Sequence, residues 1–208
     1  MDTRIRTLLI IGAGAVGFGL AASASSRAEP PPASPRYTAD GKMEFPADYR
    51  TWIYLSTGLD MAYTEMSGMD ANTHIFDSVF VNREAYAAFQ KTGTWPDKTV
   101  MVLEVRKGAG KGSINKHGQF QTDKLAAEIH VKDEARFKDT GGWAFFGFGG
   151  SEQPAAKLPT GAGCISCHEA HAAVDTTFVQ FYPTLLPIAR ATKTLSSAYL
   201  KDEAAASR

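Results

Sequence analysis

Net charge is the first thing this sequence lacks: basic and acidic residues number 22 each. That balance removes the electrostatic basis for a nucleic-acid or anionic-membrane partner, so no nucleic acid is expected and a small or neutral ligand is the natural one. Histidine is scarce, with five residues, and cysteine scarcer, with two. Methionine stops at Met101, leaving the second half of the chain without a thioether. The length of 208 residues suits one domain with a real core and is short for two. We find no internal repeat.

The N-terminus does contain an apolar run, from Leu8 to about Ala22, preceded by Arg4 and Arg6 and followed by small residues up to Ala28. That order is that of a secretory signal, with cleavage expected after Ala24 or Ala28. An uncleaved anchor is the alternative, but the run is glycine-rich and falls short of the roughly 20 residues of a span. Either reading puts the domain outside the cytoplasm, in the periplasm or secreted. Residues 1–28 are therefore expected to be a signal peptide and 29–44 a Pro-rich spacer that opens on "EPPPASPR". The domain proper is expected over 45–195, with a tail over 196–208.

In an exported protein two cysteines usually mean a disulfide. Here they are three apart and followed at once by histidine, Cys164-Ile-Ser-Cys167-His168, which is the attachment signature of a c-type haem. One helical turn sets both thiols against the two vinyl groups of a porphyrin edge, and the next imidazole comes under the iron. Cys164 and Cys167 are the expected thioether anchors of one haem c, and His168 the expected metal ligand. A thioredoxin-like redox pair is the alternative, but it needs a strand before it, and "PAAKLPTGAG" is loop-like.

A sixth ligand is hard to find. Only 40 residues follow His168, and their one histidine, His171, lies on or near the same helical face. The upstream candidates, Met43, Met61, Met66, Met69, Met101, His74, His117 and His130, carry no ligand pattern; His130 reads as the outer face of a strand. A five-coordinate iron with an open distal side is the expectation, and such iron binds or transforms small molecules.

Period-2 alternation predicts strands at 73–81, 98–107, 125–132 and 142–149. A helix is predicted over 82–93, capped by Asn82 and closed by Gly93, with a short one near 46–55 and a C-terminal piece from about Asp175. The spacings are too short for parallel crossovers, so the fold class is α+β: a mainly antiparallel sheet with a few packed helices. Phe178, Phe181 and Tyr182 fall at i, i+3 and i+4 of a helix and either pack on the porphyrin or serve as plain core.

Four segments, "FPADYRTWIYLSTG", "VNREAYAAFQKTGTWPDKTVMVLEV", "GGWAFFGF" and "KLPTGAGCISCHEAHAAVDTTFVQFYPTL", resemble the cytochrome P-460 family in the same order, over about residues 45–187. The resemblance implies a mostly antiparallel β fold with one high-spin c-type haem, often in a homodimer. It implies one of two functions: hydroxylamine oxidation, passing electrons to a periplasmic electron-transfer partner, or capture of nitric oxide or a related small nitrogen-oxide ligand, as in cytochromes c′-beta. In the oxidising members a strand lysine is linked to the haem and an acid assists proton removal. Leu103 stands where that lysine is expected, beside the cofactor, and Lys107 lies ~13 Å further along the strand. Glu152 and Glu104 are the candidates for the catalytic acid. On these grounds nitric oxide binding is the first expectation, hydroxylamine oxidation the second, and simple electron transfer the third.

Overall fold

The computed structural model describes residues 34–62 and 73–206. The expected signal peptide, Met66 and Met69 lie outside these residues. Among the described residues, five strands form one antiparallel meander in the order β1-β2-β3-β4-β5: Ile53–Leu59, Ile75–Val81, Val100–Ala109, Phe120–Lys132 and Trp143–Gly149. The class is α+β, with four α-helices among the described residues: α1 (Arg83–Thr92), α2 (Gly163–His171), α3 (Leu186–Thr192) and α4 (Ser197–Ala206).

Both faces of the sheet are covered, which is why "TVMVLEV" reads as a continuous apolar run. Val100 and Val102 of β3 face one core with Met43, Phe45, Ile129, Val131 and Phe146. Met101 faces the other, with Phe89, Trp95, Trp143, Val174 and Leu185. The second core joins the sheet to α1, α3 and the segment after α2.

Asn82 stands at the N-terminus of α1, but its side chain makes no cap bond. Its Oδ1 accepts from the Val100 N–H at 2.8 Å and its Nδ2 donates to the Lys98 carbonyl at 3.3 Å, tying the helix start to β3. Gly93 closes α1 at φ 72°, and a Cβ there would come within 1.9 Å of the Thr192 hydroxyl. Glycine is demanded both by the left-handed backbone and by the close approach of α3.

Three expectations change. The helix expected near 46–55 is a single 3-10 turn at Tyr49–Thr51 that runs into β1, where Ile53, Tyr54 and Thr57 favour extended backbone. Strand β4 begins earlier than its apolar pattern, because the polar residues from Phe120 continue the hairpin ladder with Ala109. The packed body also extends past 45–195 at both ends. Met43, assigned to the spacer by composition, bridges Tyr37 and Ala155 and is fully buried. Tyr199, in the expected tail, is buried in the core from α4.

Candidate functional site

The haem-attachment signature forms α2, a nine-residue helix of Gly163–His171. Spacings of three and one put Cys164, Cys167 and His168 on one face. All three line a cavity of ≈ 420 Å³ between the sheet and the 177–182 segment, within the range of about 300–1,000 Å³ usual for cofactor pockets. Both cysteines are free thiols.

His168 is fixed from several sides. Its Nδ1 donates to the Thr176 carbonyl at 2.7 Å, which leaves Nε2 for a metal, the usual arrangement of a ligating imidazole. Phe178 stacks on its ring at 4.1 Å, and Phe145 and His130 meet it edge-on at 4.8 and 5.3 Å. Burial lowers its pKa against the opposing effect of the Thr176 bond, so the ring is a neutral donor. The carbonyl is held in turn by its neighbours. Thr177 accepts the indole N–H of Trp95 at 2.8 Å and donates to the Val174 carbonyl at 2.8 Å, while Asp175 takes the left-handed φ of 52°.

The sheet face beneath is ordered by register. Met101, His130 and Phe145 form the row against His168; Val79, Leu103 and Glu128 form the next; Gly58 and Asp77 form the third. Successive rows are about 7 Å apart along the strands. Leu103 lines the cavity, and among the described residues no lysine does. Phe178, Phe181 and Tyr182 also line it, although Phe181 ends a single 3-10 turn at Val179–Phe181 that Phe178 and Tyr182 flank, rather than all three sharing an α-helix face.

Neither candidate acid is there. Glu104 points from the opposite face of β3 and is 1% exposed. It accepts from Tyr49, from Arg50 at 2.6 Å and from Arg106 at 2.7 Å. Burial pushes its pKa up, but the bonds from Arg106, Tyr49 and Arg50 outweigh that and hold the carboxyl below its ordinary range. Glu152 is an exposed partner of Lys124 at 2.7 Å. Strand parity takes Glu104 away, and Glu152 sits on the surface after β5.

The cavity instead holds two carboxylates that sequence reading passed over, Asp77 and Glu128. Burial raises the pKa of Asp77, helped by the charges of Glu128 and Asp60. A signal for both was available: each has the parity of residues facing the haem motif, Asp77 with Val79 and Glu128 with His130. His130 corrects a further expectation, since it faces the cavity and is buried rather than on an outer face. Burial and the nearby His168 push its pKa well below the usual value. Of the other upstream candidates, Met61 and Met101 line the cavity. Met43 belongs to the opposite core and His74 is bonded to Asp60. His171 turns away to Asp202, at 2.6 Å.

Two free thiols and a neutral, backbone-anchored imidazole on one side of a largely apolar cavity suit a haem. They are the groups that the Cys-x-x-Cys-His signature offers a c-type haem. The cytochrome P460 family model matches residues 46–179, and the chain belongs to that family. Comparison with the curated proteins finds no match.

Proposed function

We propose that this is an exported, periplasmic mono-haem c protein, with the haem joined to Cys164 and Cys167 and ligated by His168, that captures nitric oxide or a related small nitrogen-oxide ligand. The bound haem supplies an iron with one open coordination position. The observation that carries the reading is Leu103, in the row beyond His130, where a reactive lysine is absent and an isobutyl group walls the cavity beside Val79. An apolar wall desolvates a neutral diatomic at little cost and a charged ligand at a large one. The test is stopped-flow nitric oxide binding to the reduced protein: Leu103→Ala should change the association or release rate severalfold with haem attachment intact. Unchanged rates would remove Leu103 from the ligand pocket.

A second reading rests on Glu128 and Asp77. Two carboxylates in the same cavity can take protons from a bound hydroxylamine, which favours oxidation with electrons leaving to a periplasmic acceptor. Glu128 lies in the same row as Leu103, so it is the nearer base, and Asp77, with its raised pKa, is the better proton reservoir. Measurable hydroxylamine turnover that falls in Glu128→Gln would promote this reading over the first.

A further inference from the structure

His130 is an expensive residue for its place. Its ring is clamped between Phe145, stacked at 3.8 Å and 15°, and Trp143 at 4.4 Å. Phenylalanine would fill that slot with no polar atoms to satisfy, and a buried imidazole without a partner is costly. The imidazole has one: its Nε2 is bonded to the Thr176 hydroxyl at 3.1 Å. Thr176 is also the residue whose carbonyl receives the Nδ1 proton of His168. One residue thus joins the two histidines, by its side chain to His130 and by its backbone to His168.

The surroundings make that link directional. Flanking Thr176, Asp175 is held in a left-handed conformation and Thr177 is pinned by Trp95. The hydroxyl of Thr176 fixes the remaining freedom of the peptide, because β-branching restricts its χ1 and anchoring Oγ1 sets the orientation of the residue. His130 itself cannot turn while wedged between two rings on neighbouring strand β5.

We propose that His130 is a positioning residue for His168: through the Thr176 hydroxyl it aims the carbonyl that accepts from His168 Nδ1, and so sets the strength with which His168 donates to iron. A well-aligned Nδ1 bond raises the basicity of a ligating imidazole and favours the more highly charged metal. The inference rests on the assignment of His168 as axial ligand.

The test uses haem-loaded protein and two substitutions. His130→Phe keeps the ring stack and loses Nε2; Thr176→Val keeps the carbonyl and loses the hydroxyl. The iron–histidine stretching band of the ferrous protein should move to lower frequency in both, and the midpoint potential should move up in both. The double variant should move neither quantity beyond the larger single shift, since both changes cut one link. His130→Gln, which restores a bonding group toward Thr176, should recover most of the wild-type band. An unchanged band and potential in either folded single variant, or additive shifts in the double, would overturn the role. Should His130→Phe fail to fold, Thr176→Val decides alone. Retention of the native spectrum in His168→Ala would instead overturn the ligand assignment on which the inference stands.

Discussion

At the scale of single residues, the two faces of β3 and its neighbours separate an ion-paired carboxylate, Glu104, from the carboxylates that line the cavity, Asp77 and Glu128. Glu104 is a carboxylate kept ionised by two guanidinium groups and a phenol, with its pKa below the ordinary range. Its stabilising contribution is present above the unfolded-state pKa and is lost as pH falls through the folded value. Glu104→Gln should therefore cost about 2 kcal/mol at pH 7, less than for a wholly buried pair because Arg50 stays half exposed. Denaturant unfolding across pH checks this: the gap to wild type should narrow in acid. Asp77 carries the opposite sign. Its pKa is raised by burial, so it is least costly while protonated, and the penalty develops as pH rises from the unfolded pKa through the folded one. Asp77→Asn should raise the melting temperature at pH 7 and leave it unchanged in acid below about pH 4.

Among elements, the segment between α2 and α3 decides whether His168 points correctly, and its supports come from far along the chain. Trp95, in the loop after α1, reaches Thr177 with its indole N–H. Trp95→Phe should keep most of the packing on Phe89 and cost about 1 kcal/mol for the lost bond, with a larger relative effect on the haem spectrum than on the unfolding midpoint. Gly93→Ala should be strongly harmful to stability, because Gly93 is buried, the new Cβ meets Thr192 and the backbone is left-handed. Thermal unfolding should show a fall of several degrees. Strands β2 to β5 and α1 were legible because alternation and a closing glycine act locally, whereas the start of β1 was read into a helix near 46–55. The 3-10 turn at Tyr49–Thr51 was not, since a short segment with few apolar contrasts carries no clear period. Nor was the packing of Met43 and Tyr199, which depends on distant partners such as Ala155 and the sheet core.

For the whole molecule, a local signature and a long-range register meet at one cavity. Cys164, Cys167 and His168 were readable because their spacing is itself the chemistry, and Leu103 because its segment resembles a known strand. Asp77, Glu128 and His130 required knowing which strand face looks toward α2, and that follows from pairings between residues separated by dozens of positions. We propose an iron held by His168 with its other side open and no lysine bonded to the porphyrin. The optical spectrum of the reduced, ligand-free protein, produced with haem attached, tests it most directly. An ordinary high-spin ferrous c-type spectrum that changes on adding nitric oxide is the expected result. A Soret band far to the red would reveal a cross-link despite Leu103, and a low-spin spectrum would mean that a side chain such as Met61 closes the iron; either would overturn an open, uncross-linked iron.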